Sequence, residues 1–312
     1  MSISPVQEDD WSQRYTFSQI LAQGGMGIIY LAEDKERDNV ACVIKQLIIR
    51  PSTKHEHEEA VRLFKREAEV LKFLNHPGIV RLIDSHATED GHYFLVMDLV
   101  PGKSLDELLR LKGTFSSRAT VEIAIQCCEV LEYLHKRNPP IIYRDLKPSN
   151  LMLTPEGHII FIDFGIARAL MPHAVTMTRV VTTGYSPPEQ YYGKPEFRSD
   201  LYALGATMGQ LLTGTKPKPL LSSSPAKINP SVLPSLDNLV RRLTATATKD
   251  RPISAQYLRY ELYHIYQEIE PDFVIPEEAK LIEWQKQPEA EMPLPRKEPI
   301  FKRLWQGFFN HS

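Results

Sequence analysis

Four residues have the types and spacing to do chemistry together: Asp145, Lys147 and Asn150 in one short stretch, and Asp163 shortly after it. The stretch is Ile142-Tyr143-Arg144-Asp145-Leu146-Lys147-Pro148-Ser149-Asn150, and the apolar run Ile159-Ile160-Phe161-Ile162 leads directly into Asp163-Phe164-Gly165. Such a run reads as a buried strand. The carboxylate at its end must then be solvated, paired or metal-bound, because burying it alone is costly. An aspartate within reach of a hydroxyl, an asparagine and a second aspartate that can share a divalent cation, and a lysine for a phosphate oxygen make a set suited to phosphoryl transfer. Asp-Phe-Gly by itself is a strand-end turn in many proteins. The longer stretch carries the specificity, and the rest of the chain must supply the remaining parts.

Several elements would position that set. Residues 15–21 read as a strand, followed by Ala22-Gln23-Gly24-Gly25-Met26-Gly27-Ile28-Ile29, whose glycines allow backbone N–H groups to approach a phosphate closely. Taken alone, a plain tight hairpin explains that turn as well. Residues 40–47 form a second strand with Lys45 the only charge among apolar neighbours. In a helix over about 57–74, Phe64, Leu71 and Leu74 recur on one face, and Glu67 falls on the same face. A carboxylate within an apolar stripe needs a cation, and Lys45 is the available one. Asn75-His76-Pro77-Gly78 breaks the helix, and a hairpin over 82–97 ends at 98–102, where the pattern turns helical. Helices are expected at 104–111 and at 118–135, the second stopped by Pro139-Pro140. A very apolar helix starts at Asp200, 213–233 is rich in Ser and Pro and reads as irregular, and 237–244 and 254–268 close the helical part.

A length of 312 residues is enough for two lobes with real cores. Charged residues at 24% and hydrophobic residues at 42% are those of an ordinary globular protein, and the net charge of −2 offers no broad cationic surface for nucleic acid. There is no apolar run of membrane-spanning length and no signal-peptide pattern, so the chain is expected to be cytoplasmic, without a transmembrane segment. Cys42, Cys127 and Cys128 lack metal-ligand spacing and read as buried apolar fillers in a reducing compartment.

Together these motifs resemble the protein-kinase family, and most closely its bacterial Hanks-type serine/threonine branch, over about residues 15–268. The resemblance rests on Gly24-Gly25-Met26-Gly27, Lys45, the 142–150 stretch, Asp163-Phe164-Gly165, Ser186-Pro187-Pro188-Glu189-Gln190, Arg198-Ser199-Asp200 and Asp250-Arg251-Pro252. It implies an α+β, bilobal protein-kinase-like fold: a small antiparallel β-sheet lobe with one helix, αC, at 15–97, a hinge at 98–102 and a larger, mainly α-helical lobe at 103–268. A leader (1–14) and a tail (269–312) flank this domain.

By the same resemblance, Asp145 accepts or orients a substrate hydroxyl, Lys147 neutralises the γ-phosphate of ATP, and Asn150 and Asp163 hold Mg²⁺ or Mn²⁺. Ala22, Gly24, Gly27, Ile29, Val43, Lys45, Glu67, Met97, Asp98, Val100 and Met152 are the implied ATP-binding positions, with Lys45 and Glu67 paired and Met97 as gatekeeper. Five positions depart from the family pattern: Ala22 replaces a glycine, Ile29 a valine, Val43 an alanine, Tyr143 a histidine and Pro187 an alanine. With Leu71, Leu82 and Phe164, Tyr143 would complete an apolar spine. Arg144 implies an anionic partner on a phosphorylated activation loop, with Thr176 and Thr178 the candidate positions, while Thr182 of the same loop aligns with the substrate-platform threonine beside Asp145 and Lys147. Glu189 is expected to pair with Arg251, and Asp200 to brace the catalytic loop. The implied activity is ATP-dependent phosphorylation of protein Ser/Thr hydroxyls, with protein substrates and self-association for trans-autophosphorylation. A nucleotide-binding pseudokinase scaffold and a small-molecule phosphotransferase are the alternatives.

The tail is a separate problem. Pro271, Pro276, Pro288, Pro293, Pro295 and Pro299 forbid a long helix. Yet Phe273, Trp284, Phe301, Trp305, Phe308 and Phe309 all lie there. Exposing so many aromatic rings is unfavourable, so part of the tail is expected to dock on the domain or on a partner. Peripheral membrane contact by 301–309 is the weaker reading.

Overall fold

The structure, a computed structural model, describes residues 10–24, 27–47, 54–88, 92–164 and 183–276. They fall into two compact units, one within 1–102 and 160–180, the other within 103–159 and 181–312.

In the first unit, β1 (Tyr15–Gly24), β2 (Gly27–Asp34), β3 (Val40–Leu47), β4 (Leu82–Ala87) and β5 (Tyr93–Asp98) form one antiparallel sheet in the order β1-β2-β3-β5-β4. Helix α1 (Lys54–Lys72) lies between β3 and β4 in sequence. Strand alternation sorts the side chains between two faces. Tyr15, Tyr30, Ala32, Cys42, Ile44, Phe94 and Val96 make one buried cluster; Leu47, Leu82, Tyr93 and Leu95 make another with Phe64 and Ala68 of α1. The sheet is therefore apolar on both sides, which is why β3 and β5 read as nearly continuous apolar runs.

Residues 10–14, assigned from the sequence to the leader, form a 3₁₀ turn that packs on this sheet. Trp11 stacks on His86 with ring centroids 4.4 Å apart, and Arg14 grips the fully buried Asp34 through Nε–Oδ1 at 2.7 Å and Nη2–Oδ2 at 2.6 Å. A single tryptophan among polar neighbours leaves no periodic signal, so only the fold reveals its partner.

The second unit is mainly helical. In it β6 (Lys103–Ser104) pairs antiparallel with β7 (Leu151–Leu153), and β8 (Ile159–Phe161) lies at the boundary, with Ile159 in this unit and Ile160 and Phe161 in the first. Helix α2 (Leu105–Lys112) starts with a capping box between Ser104 and Glu107, and α3 (Ser117–His135) is capped by Ser116. Short α4 (Pro188–Tyr191) precedes α5 (Phe197–Thr213), of which every residue from Ser199 to Leu212 is buried. That is the very apolar helix of the sequence, but it begins three residues before Asp200, which sits in its first turn rather than capping it. In α6 (Pro234–Leu243) the buried residues Leu236, Leu239, Val240 and Leu243 make one stripe; α7 (Ala255–Ile269) is capped by Ser254. Cys127 and Cys128 are fully buried in α3, and burial pushes both thiols well up from the ordinary cysteine value, as fits apolar fillers.

The first residues of the tail are docked. Phe273 meets Tyr266 at 4.8 Å and 80° and Tyr263 at 5.9 Å and 20°, Ile275 is buried beside Tyr263 and half-buried Ile125, and Gln267 Nε2 donates to the Phe273 carbonyl at 3.0 Å. Residues 277–312 lie outside the described residues, and so do Trp284 and Trp305.

The glycine turn shows two glycines with different work to do. Gly27 has φ +152°, and a Cβ there would stand 1.9 Å from the Gln46 carbonyl oxygen on β3; around Gly24 no atom of the described residues beyond its chain neighbours lies within 4 Å of that position. Gly27→Ala is therefore expected to lower the thermal midpoint by several degrees, because backbone must shift to relieve the clash, whereas Gly24→Ala leaves it unchanged. Differential scanning calorimetry of the two variants against wild type checks this; equal midpoints for all three would contradict it.

Candidate active site

In the first unit the sheet register gathers much of the predicted set on one face. Ile29 pairs with Lys45, and Lys45 with Leu95; one step along, Leu31 pairs with Val43, and Val43 with Met97. Lys45 is buried, and its Nζ donates to Asp163 Oδ2 at 2.6 Å. The partner expected from the sequence, Glu67, lies in α1 with its side chain outside the described residues. Lys45, Met97 and Asp163 line one pocket with Leu71, Leu82 and Phe164, the three residues of this unit that the resemblance assigns to a spine. Ile79 bridges to Phe161, and Val80 N–H donates to the Phe161 carbonyl at 3.0 Å, so the backbone just before Asp163 is fixed to the segment that follows α1.

Ala22 and Gly24 are exposed in the hairpin, where Ala22 pairs with Ile29 and Gly24 with Gly27. Asp98 spends its side chain on two arginines: Arg81 Nε at 2.8 Å and Arg37 Nη2 at 3.1 Å. Burial alone would raise its carboxyl; the hydrogen bonds and charge of Arg81 and Arg37 outweigh that and hold it below the ordinary value. Its backbone N–H donates to the Arg81 carbonyl at 3.1 Å, and Val100 is half-buried two residues on.

In the second unit, Asp145, Lys147 and Asn150 form one cluster. Lys147 Nζ donates to Asp145 Oδ2 at 2.9 Å, while Asn150 Nδ2 donates to the same oxygen at 3.0 Å and to the Asp145 carbonyl at 2.9 Å. Asp145 is only 4% exposed and Asn150 5%. Below the cluster, Asp200 is fully buried and takes three donors: Tyr143 N–H at 2.9 Å, Arg144 N–H at 2.8 Å and His135 Nε2 at 2.8 Å. Arg144 sits at φ +67°, a left-handed conformation that is unfavourable for a residue with a long side chain. Asp200 from one side and Gln190 Nε2, donating to the Arg144 carbonyl at 3.0 Å, from the other keep it there. Met152 lies on β7 opposite Ser104. Thr176, Thr178 and Thr182 lie outside the described residues.

Comparison with known proteins fits this geometry. The protein kinase domain family matches residues 15–259. The chain belongs to the protein kinase family. It is 31% identical over 286 residues to the serine/threonine-protein kinase PknB of Mycolicibacterium smegmatis, covering 84% of this chain and 44% of that protein. It is 37% identical over 227 residues to serine/threonine-protein kinase C of Synechocystis, covering 68% of this chain and 41% of the relative. The chain thus spans less than half the length of these curated relatives. Among solved structures, the Mycobacterium tuberculosis PknI kinase domain superposes with a TM-score of 0.64 at 25% identity, covering 80% of this chain and 96% of that one. The fold is the α+β protein-kinase fold. No helix among the described residues is long and apolar enough to cross a membrane.

In this kinase-family chain a second buried charge pair supports the cluster from the α4 side. Arg251, with a fully buried side chain, grips Glu189 through Nη1–Oε1 at 2.6 Å and Nη2–Oε2 at 3.1 Å. Ser199 Oγ also donates to Glu189 Oε1, at 2.7 Å, and Arg251 keeps the carbonyls of Ala245, Thr246 and Arg198 as further acceptors. Burial would raise the Glu189 carboxyl, but the bonds from Arg251 and Ser199 outweigh it and hold the group below the ordinary glutamate value. Sequence reasoning missed His135, Gln190 and Ser199. His135 reads as a basic helix end, and the other two as ordinary polar residues; only their distance to a buried charge marks them.

Glu189→Gln is expected to destabilise the chain by about 3 kcal/mol, the low end for breaking a buried pair, because Arg251 retains three carbonyl acceptors. A carboxyl lowered on folding stabilises above its unfolded value and loses that contribution as pH falls through the folded one. The difference between wild type and Glu189→Gln should be full above about pH 4.3 and shrink below it. Urea unfolding at a series of pH values reads this; a difference that is constant down to pH 3 would contradict it.

Proposed function

We propose that the chain is an ATP-dependent serine/threonine protein kinase. The observation that carries the reading is the Asp145–Lys147–Asn150 cluster: a buried carboxylate oriented by one cation and one amide, on a loop braced from below by Asp200. In this reading Asp145 receives the proton of a substrate Ser or Thr hydroxyl, and Lys147 supplies positive charge where negative charge builds on the transferred phosphoryl group. Lys45 occupies one oxygen of Asp163 and would meet the phosphates of the nucleotide. Each unit offers an oxygen donor of the kind a hard cation takes: in the first, Asp163 uses one carboxylate oxygen for Lys45 and its side chain is 29% exposed; in the second, Asn150 Oδ1 accepts a long bond of 3.3 Å from Ser149. Mg²⁺, when bound, would neutralise charge on the phosphate oxygens. Open space around Gly24 leaves room for close approach to that part of the nucleotide.

The preference for Ser/Thr is supported by Lys147 two residues after Asp145 and by the names of the relatives. The guanidinium of Arg144, next to Asp145 in sequence, is a candidate for an anionic partner, so we include control by phosphorylation at Thr176 or Thr178 in the proposal, with Thr182 on the substrate platform. Protein substrates, and a second copy for trans-phosphorylation, follow from the same reading.

Transfer of label from ATP, followed by mass-spectrometric mapping, tests this. Asp145→Asn is expected to reduce kcat about 10²- to 10⁴-fold with the fold intact, and Lys45→Met to abolish label on Ser and Thr. ATP binding without transfer in the wild type would instead indicate a scaffold. Asp200→Asn places an amide N–H among three donors and loosens the Arg144 turn. A fall in kcat of about 10²-fold is expected, from misplacement of Asp145 rather than lost binding, and an unchanged kcat would remove Asp200 from the positioning role. Phosphate at 166–183 in the wild type and its absence in Asp145→Asn would support autophosphorylation.

A further inference from the structure

The segment 213–233 is not accounted for by the phosphoryl-transfer reading. It holds three lysines, Lys216, Lys218 and Lys227, and no acidic residue. All three are exposed, and no described carboxylate pairs with any of them. Among and directly after them Leu220, Leu221 and Ile228 stand 42%, 60% and 61% exposed, and Leu220 is held at φ +55°. This is not a loosely attached loop. Ser222 Oγ donates to the Arg241 carbonyl at 3.0 Å, Ser223 N–H to Thr244 Oγ1 at 2.8 Å, and Ser224 Oγ and Ala226 N–H to Asp237 at 3.1 and 2.8 Å. Asn229 Nδ2 reaches the Leu212 carbonyl at 2.9 Å. Residues 222–226 are thus pinned to α6 and its C-terminal end and Asn229 to the end of α5, which fixes the backbone directly after Leu220 and Leu221 and around Lys227 and Ile228.

The chain carries a complementary sequence close by. Residues 277–291 hold Glu277, Glu278, Glu283, Glu289 and Glu291 against Lys280 and Lys286, with Leu281, Ile282 and Trp284 among them. Three observations link the two. The preceding residues, Phe273 and Ile275, are already docked on α3 and α7 of the same unit. The end of α7 adjoins the start of α6, since Ser235 Oγ donates to Glu268 at 2.6 Å, and Asp237 in the same turn receives Ser224 and Ala226. Fifteen residues can extend about 50 Å, well beyond what that neighbourhood requires. Charge and apolar content match in sequence: one stretch is acidic with three large apolar residues, the other basic with three.

We propose that residues 277–291 of the chain dock on the surface formed by 216–228. The docking extends the contact begun by Phe273 and Ile275, covers Leu220, Leu221 and Ile228 with Leu281, Ile282 and Trp284, and sets Lys216, Lys218 and Lys227 against the glutamates. It neither uses nor needs the Asp145 cluster.

Zero-length carbodiimide coupling of the full-length chain at low concentration, with peptide mapping of the monomer band, tests it. Amide cross-links from Lys216, Lys218 or Lys227 to glutamates of 277–291 within one chain are expected, and replacing the three lysines by Gln should remove them. Hydrogen exchange over 219–229 should quicken several-fold in Ile282→Ala/Trp284→Ala without a change in thermal midpoint. Cross-links only between chains would assign the surface to a second copy and overturn the proposal. Absence of these cross-links together with unchanged exchange would overturn it as well, and so would absence of them with capture of the chain by phosphatidylserine vesicles.

Discussion

The Asp200 carboxylate is the constraint on which the second unit depends. It is a charge buried without water contact in the first turn of a helix that is otherwise apolar, and three donors converge on it. Removed from water alone, such a group would be strongly unfavourable. Here its solvation is replaced by two backbone N–H groups, by His135, and by the N-terminal end of α5. Because those N–H groups belong to Tyr143 and Arg144, satisfying the charge also forces the chain through the left-handed turn at Arg144 and delivers Asp145 at a defined position. One electrostatic requirement thus fixes a loop that has no regular secondary structure of its own.

The same logic recurs at Glu189 and Arg251, and at Arg14 and Asp34. Each pair is bidentate and joins segments distant in sequence, and each carboxylate takes a further bond, from Ser199 Oγ or from Glu36 N–H. A buried pair of this kind adds little net stability over an apolar replacement, but removing one member is severe. Such pairs therefore act here as registration devices. Arg14–Asp34 holds the 3₁₀ turn, and with it Trp11, on the sheet; Glu189–Arg251 ties α4 to the first turn of α5 and to the segment before α7.

In the first unit, the sheet does the positioning. Antiparallel register places Ile29, Lys45 and Leu95 in one row and Leu31, Val43 and Met97 in the next, so that a lysine surrounded by apolar residues is held where its ammonium meets Asp163. Gly27 makes this possible. Its missing side chain lets β2 and β3 lie close at the end of the hairpin, which a Cβ would separate.

Much of this was legible in the chain of letters. The apolar run of β3, the helix stripe of Phe64 and Leu71, the glycine turn and the 142–150 and Asp163-Phe164-Gly165 motifs specify local structure, and local structure depends on neighbours in sequence. The family, the α+β fold and the members of both clusters could be named from those residues alone. What needed the tertiary structure was every relation between distant segments: that Trp11 belongs to the sheet, that α5 begins before Asp200 so that its carboxylate turns inward to the loop, that His135, Gln190 and Ser199 complete charge networks, and that Lys45 meets Asp163. Those depend on where packing brings a charge that cannot be left unsatisfied, and a polar residue bears no mark in sequence of the buried charge it will answer.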